Sequence, residues 1–460
     1  MMQSRPSVID LYSGVGGLSL GLEQAGFRVV VGVEIEYLSG RYAQYNLPDT
    51  HVLYGEETGD VRQFTREHFR QAGHDPNDVF LIAGGPPCQG FSLAGRRRSD
   101  DPLNDLVVEF ARVVLEFHPS AFLMENVPGL RTSDSPMLGR ALKALESEYS
   151  IAGPQTLRAW EFGVPQMRQR LFVLGIDKHL GLSPSFPPPT HYRPTDPPSL
   201  LLSRCPTCWE AISDIPHVDD FPELLSGDRV PYDRAPQSDY QRWMRGVLHD
   251  PQDLARPVDW DRSVCTNLRR TQHGPSLLAR FEKLNFGESD DGSRIRRLVP
   301  DDLSTTIRAG TTKSRGAWSA PRPLHPYQHR VLTTRECARI QGFPDWFFVH
   351  PAKWHGNRMV GNAVPPPLAS AMGWHIRRIF GLPTPGAVSQ PAFRDDRLVS
   401  DDIAIARNSG YEKRRVSQLV VSWTTRATGP GVASVSTVTE GSETATTFRG
   451  GTAKGDGSIQ

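Results

Sequence analysis

The sequence predicts an α/β protein: a doubly wound, Rossmann-like, mostly parallel sheet with a second, smaller lobe. Three observations carry this. Short β-branched apolar runs alternate with amphipathic stretches through residues 1–180. The texture turns proline-rich near residue 181 and stays irregular to about residue 330. Helical patterning returns from residue 333. Strand–helix alternation of this kind builds a parallel sheet covered on both faces.

The elements follow in order. "SVIDLYSG" (7–14) reads as a strand ending in a glycine turn, and "GLSLGLEQAG" (17–26) as a helix with Gly26 near its end. "FRVVVGVEI" (27–35), "VFLIAGG" (79–85), "AFLMEN" (121–126) and "RLFVLGI" (170–176) are further strands. Leu106, Val107, Phe110, Val113, Val114 and Phe117 fall on one face at helical spacing. "LSPSFPPPTHYRPTDPPSL" (182–200) cannot continue the sheet. "TTRECARIQGF" (333–343) reads as a helix capped by Thr333 or Thr334. "PPPLASAMGWHIRRIF" (365–380) is a helix with prolines only at its start. Beyond about residue 384 the chain is rich in Ser, Thr, Gly and charge, and is expected to be disordered.

The chain has 460 residues, 38% hydrophobic and 22% charged, which is room for two or three domains with a large core. The formal net charge of +1 neither reveals nor excludes a nucleic-acid partner, because a local basic cleft averages away. No stretch approaches the apolar length that spans a bilayer. The N-terminus lacks the basic-then-apolar layout of a secretory signal, so the chain is read as cytoplasmic. Five cysteines do not suggest a disulfide framework.

Glycines between a strand and a helix let a cofactor approach backbone at a helix N-terminus. Gly14, Gly16 and Gly17 lie there, although Ser19 breaks the dinucleotide fingerprint, and a tight strand–helix turn would use the same residues. Glu34 ends the second strand, about 20 residues on, where an acid can hold a ribose diol. Asp60 is a second acid placed to sit beside the third strand, or a turn aspartate. Cys88 follows "VFLIAGG", at the carboxyl edge where such sheets place ligands. A free cysteine is usually a small buried hydrophobe. Pro86 and Pro87 argue otherwise, since they stiffen the turn as if to aim one thiol. Glu125 and Asn126 end the next strand, where burial without partners would be costly. Arg168 and Arg170, two apart before a strand, suit an anion such as a phosphate or the glutamate of the site.

The order of motifs resembles the DNA cytosine-5 methyltransferase family. "DLYSGVGG", "GGPPCQGFS", "MENV", "QMRQR", "RECARIQGFPDWF" and "MVGNAVPPPLA" are similar to its blocks, in its order, over residues 7–178 and about 325–380. The resemblance implies that Cys88, as thiolate, adds to carbon 6 of a flipped-out cytosine in duplex DNA. Glu125 would bond ring nitrogen 3 and the exocyclic amine, and carbon 5 would take the methyl of S-adenosylmethionine. Arg168 and Arg170 would steady the base and its phosphate. Tyr12 (where the family more often has Phe), Gly14, Gly16 and Gly17 would line the methionine and ribose. Glu34 would bind the ribose, and Asp60 and Val61 would meet the adenine. Pro86 and Leu106 would border the cofactor, and Asn362 and Val364 would close the site.

By the same resemblance, residues 1–180 form the catalytic domain and 181–330 the target recognition domain. Residues 331–383 carry the last motifs, with the final helix packed back, and 384–460 form a tail. The loop 89–105, with Arg96 to Arg98, would close on the base. Arg269, Arg270, Arg294, Arg296, Arg297 and Arg308 are candidate DNA contacts. "CPTC" (205–208) has the spacing of half a zinc site, but no second pair completes it, and no metal is expected. The resemblance further implies a monomer of a bacterial restriction–modification pair, with a cognate endonuclease acting on the same site. A tRNA cytosine-5 methyltransferase shares the chemistry, but the long middle region favours DNA. A nicotinamide-dependent oxidoreductase would leave Cys88, Glu125 and the arginine pair without a joint role.

Overall fold

A computed structural model describes residues 5–87, 105–130, 136–311, 322–386 and 388–400. The order in the first part is β1 (Ser7–Leu11), α1 (Gly17–Gln24), β2 (Arg28–Glu34), α2 (Tyr37–Asn46), β3 (His51–Tyr54), α3 (Arg66–Gln71), β4 (Val79–Gly84), α4 (Leu106–Phe117), β5 (Ala121–Asn126), α5 (Pro136–Leu145), β6 (Tyr149–Arg158) and β7 (Gln169–Asp177). These strands form one seven-stranded sheet in the order β3-β2-β1-β4-β5-β7-β6. The strands from β3 to β5 pair in parallel, and β7 runs antiparallel to both β5 and β6.

The apolar patterning explains the layers. β1 and β4 are almost wholly buried, as central parallel strands must be. Each predicted apolar position of α4 is buried, so that helix covers one face of the sheet. Leu18 and Leu22 of α1 share the opposite core with Leu368, Ala369, Met372 and Ile376 of the last helix. A side chain on Gly17 would meet the Val364 carbonyl at 2.4 Å, so glycine permits the close crossing there.

The middle of the chain is short elements joined by long loops: β8 (His191–Tyr192), β9 (Ser203–Arg204), α6 (Cys208–Ile212), β10 (Val230–Pro231), α7 (Asp239–Met244), β11 (Val264–Cys265) and α8 (Pro275–Glu282). α9 (Thr334–Gln341), α10 (Lys353–Asn362) and α11 (Pro366–Ile379) complete the fold. Thr333 caps α9 in a reciprocal box with Glu336, and Gly342 ends it in the left-handed conformation. Pro366 opens α11. A core joins Ile212, Ile215 and Leu268 of the middle region to Tyr42 and Leu47 near α2, to Ile340 of α9 and to Phe343 just after it. A smaller core of Phe281, Leu324 and Val331 lies apart from it.

α9 is buried along its whole length although five of its eight residues are polar or charged. Arg339 is fully buried, with Nε 2.5 Å from Asp345 Oδ1 and Nη1 3.0 Å from Asp214 Oδ1. Arg335 donates to Thr266, Asn267, Pro344 and Phe347. These two guanidiniums tie the middle region to the C-terminal helices. Replacing Arg339 with Met would take the nearest cation from two buried carboxylates, leaving Asp214 to Arg245 and Asp345 to Arg335 and Tyr232. The variant is expected to lose about 3–5 kcal/mol in urea unfolding.

The expected tail boundary at 384 moves. Ala392 bonds the Pro257 carbonyl, Arg394 donates to the Trp346 carbonyl, Tyr45 bonds Asp396, and Val399 is buried in the large core. A few apolar and arginine anchors suffice to pack this segment despite its polar composition. Residues 401–460 lie outside the described part. Among the described residues no helix is long and apolar enough to cross a membrane.

Candidate active site

The candidate residues gather at the carboxyl edge of the parallel strands. Glu34, half-buried at the end of β2, accepts from Gly14 N at 2.8 Å and Glu36 N at 2.7 Å. Burial pushes its carboxyl up to about 7, against these two backbone donors. Gly14 has φ +57, and open space lies where its side chain would stand. Tyr12 also has a positive φ, 58, which is uncommon for an aromatic residue; its hydroxyl donates to the Leu106 carbonyl at 2.8 Å. That bond ties the end of β1 to the start of α4. Asp60 follows Gly59, where an added β-carbon would lie 2.1 Å from the Glu34 carbonyl oxygen. Arg62 engages Asp60 at 2.6 Å and holds its pKa down. Val61 lies in the core beneath, and its carbonyl accepts from Arg112.

The second half of the site is built by pairing β5 with β7. Glu125 lies opposite Phe172, so Glu125 and Arg170 are diagonal neighbours on one face of the sheet. Arg170 Nε is 2.7 Å from Glu125 Oε1. Burial raises the Glu125 pKa, and the Arg170 and Arg168 charges oppose it. The carboxylate crosses directly over Gly85, where an added β-carbon would lie 2.8 Å from Oε2. Asn126 donates to the Pro86 carbonyl at 2.9 Å and accepts from Val127 N. The end of β5 thus fixes the proline turn that leads to Cys88. Cys88 itself, with 89–104, lies outside the described residues.

Arg168 differs from expectation. It is fully buried, and its guanidinium donates to the carbonyls of Ile307, Gly361 and Ala363 at 2.8–3.0 Å. No phosphate can reach a group so enclosed; Arg168 clamps the C-terminal motifs instead. Gln166 joins the same clamp through Ile307 N and Gln341, and Gln341 reaches the Ala363 carbonyl. Val364, which that clamp presents, is buried against Gly17, whereas the Asn362 side chain is exposed.

Sequence reasoning missed two residues. The sequence shows Asn126 only as a polar companion of Glu125, and it hides Asp10 inside an apolar strand. Asp10 is fully buried and accepts from Ser19 Oγ at 2.5 Å, near the start of α1. Among the described residues its other oxygen has no hydrogen-bond partner, and burial raises its pKa to about 7. A charged residue within "SVIDLY" was the available signal.

Of the arginines singled out in the middle region, Arg297 is buried on the carbonyls of Phe281, His325 and Pro326. Arg270 pairs with Asp219 at 2.7 Å. Arg294, Arg296 and Arg308 are exposed, and Arg269 is half-buried. The Cys205 and Cys208 thiols are buried and donate to the carbonyls of Val164 and Val299. Among the described residues no group of three or more His, Cys, Asp or Glu could hold a metal ion.

The sheet order and the acid–arginine pair at its edge define the class, a Rossmann-like α/β fold with a ligand site at the strand ends. The sequence profile described as C-5 cytosine-specific DNA methylase matches residues 7–378. The chain belongs to that family. It is 38% identical to the Type II methyltransferase M.XorII of Xanthomonas oryzae pv. oryzae, over 82% of this chain and 85% of that one. It is 32% identical to the Type II methyltransferase M1.HphI of Haemophilus parahaemolyticus, over 79% and 84%. Among solved structures it resembles a candidate DNA modification methyltransferase encoded within an Escherichia coli prophage. That likeness has TM-score 0.65 and 30% identity, covering 82% of this chain and 99% of the other.

The family's methyl donor is S-adenosylmethionine. The residues present fit a nucleoside cofactor. A carboxylate stands at the end of β2, and among the described residues a glycine turn leaves open space beside it and a buried carboxylate oxygen of Asp10 lacks a partner.

Proposed function

We propose that this enzyme methylates one cytosine within a specific duplex sequence, as the modification partner of a restriction endonuclease, acting as a cytoplasmic monomer. The observation that carries the catalytic reading is the Glu125–Arg170 pair laid over Gly85, with Asn126 holding Pro86. Type II methyltransferases among the relatives support the restriction–modification reading.

In this reading the target base leaves the stack, since a thiol cannot reach carbon 6 inside a duplex. The Cys88 thiolate adds to carbon 6. Glu125 hydrogen-bonds nitrogen 3 and the exocyclic amine, which stabilises charge developing on the ring. Arg170 orients that carboxyl and keeps it from swinging into the core. S-adenosylmethionine, when bound, supplies an electrophilic methyl group, which carbon 5 accepts. Loss of the carbon-5 proton and of Cys88 then releases 5-methylcytosine.

Glu34 would hold the cofactor ribose, with Tyr12, Gly14, Gly16 and Gly17 beside it. Asp60 and Val61 would meet the adenine, with Pro86 and Leu106 at the border. Val364 and Asn362 would close the pocket. Arg168 acts through Val364 and touches no reacting atom. Residues 181–330 would serve as the target recognition domain, anchored to the rest of the fold through the core that Ile212, Ile215 and Leu268 share with Tyr42 and Ile340.

Glu34→Ala should weaken S-adenosylmethionine binding about tenfold to a hundredfold, the worth of hydrogen bonds to a charged group. Calorimetric titration of the cofactor checks this. Transfer of tritiated methyl to duplex DNA, with tRNA as the parallel substrate, tests the function. Label in tRNA alone would refute it.

A further inference from the structure

We propose that Arg358 is a positioning residue for S-adenosylmethionine: through Glu36 it holds the turn that carries Glu34 against α10. The inference rests on the reading of Glu34 as the ribose acid and adds the residues that keep that acid in place.

Glu34 ends β2, and the chain turns at once into α2, with Glu36 at the corner. Glu36 N donates to Glu34 Oε1 at 2.7 Å, and Gly14 N donates to Oε2 at 2.8 Å. The direction of the Glu34 carboxylate therefore depends on where this corner sits. The Glu36 side chain is held from two sides. Its Oε2 accepts from Ser39 Oγ at 2.5 Å, within the first turn of α2. Its Oε1 lies 3.6 Å from Arg358 Nε, on α10. The corner is thereby tied to an element from the other end of the described chain.

Arg358 is itself held in place. Its guanidinium stands over the Trp354 ring at 5.6 Å, one turn earlier, and Trp354 Nε1 donates to the Thr311 carbonyl at 3.3 Å. Arg358 Nε is buried, and among the described residues it has no hydrogen-bond partner. At 3.6 Å the Glu36 carboxylate acts on it as a charge, and a closer approach would complete the bond. Trp354, Arg358 and Asn362 recur every fourth residue, so they share one face of α10. Asn362, assigned to closing the site, lies about 6 Å further along the axis. Beyond it Arg168 holds the Gly361 and Ala363 carbonyls, and the Val364 backbone lies against Gly17. This segment thus meets the cofactor region twice, at the ribose acid through Arg358 and at the glycine turn through Val364. The Arg358 and Glu36 side chains are 21% and 36% exposed, and a pair so exposed adds little to global stability. Its loss should be read in binding rather than in unfolding.

The test combines calorimetric titration of S-adenosylmethionine with steady-state methyl transfer to duplex DNA, on the full chain. The variants are Arg358→Gln, Arg358→Lys, Glu36→Gln and the double neutral variant. Arg358→Gln should raise the cofactor Kd and KM about two- to fivefold, the worth of a half-exposed ion pair, with kcat near wild type. Arg358→Lys should recover most of the loss, because the contact is one charge and not a bidentate fork. Glu36→Gln keeps the Ser39 bond and should show the same loss as Arg358→Gln. The double variant should lose no more than either single one, because both break one contact. If Arg358→Gln melts earlier than wild type, Glu36→Gln supplies the comparison. Wild-type cofactor affinity in both single neutral variants would overturn the proposal, and so would losses that add. Wild-type affinity in Glu34→Ala would instead overturn the ribose reading beneath it.

Discussion

Glu125→Gln is expected to lower methyl transfer about 10²- to 10⁴-fold while leaving S-adenosylmethionine affinity near wild type. Loss of a positioned general acid has that magnitude. Glutamine keeps the shape and can still hydrogen-bond the ring, but it cannot pass a proton. Burial raises the Glu125 pKa, which favours the protonated form the ring nitrogen needs. The sign of the pH dependence follows. The contribution of Glu125 is present below its raised pKa and falls as pH rises through it. A pH profile of the single-turnover rate should therefore lose that descending component in the variant. Glu125→Ala should be worse, because Arg170 would then lie buried beside an empty space without its carboxylate.

Arg168→Met is expected to cost about 3 kcal/mol or more of stability and to weaken cofactor binding as well. The guanidinium serves three carbonyls from two distant segments, Ile307 on one side and Gly361 and Ala363 on the other. Methionine fills the volume but takes this donor from the Ile307 and Gly361 carbonyls, at roughly 1–3 kcal/mol each, and leaves Ala363 to Gln341 alone. Released, the 361–364 segment would no longer press Val364 against Gly17. Urea unfolding reads the first effect and cofactor titration the second. Arg168→Lys should rescue little, since one ammonium cannot span three acceptors set by a planar fork.

The contrast between these two arginines shows what the sequence could and could not disclose. Arg170 was legible as a partner for a glutamate, because a carboxylate at the end of "AFLMEN" is costly to bury alone and the next strand offered the cation. Arg168 carried the same two-residue spacing and invited the same role. Its true acceptors lie about 140 and 195 residues further on, which no local pattern encodes. α9 shows the same limit. Its apolar residues alone suggest a half-exposed helix, yet Asp214, Asp345 and Asn267 arrive from elsewhere and allow every residue to be buried. The sheet was readable because strand–helix alternation is local. The antiparallel course of β7 was not, because direction depends on the connection and not on composition. The glycine turn and Glu34, some 20 residues apart in sequence, could be placed together at one strand edge, and the Gly14–Glu34 bond joins them there.

The central claim is that Cys88 and Glu125 together methylate carbon 5 of cytosine in a defined DNA sequence. The most direct measurement is bisulfite sequencing of DNA from a host without cytosine-5 methylation of its own, expressing either the wild-type chain or Cys88→Ala. The expected result is protected cytosines at one recurring sequence with the wild type, and none with the variant. Protection that persists in Cys88→Ala, or a wild-type host whose DNA converts completely, would contradict it.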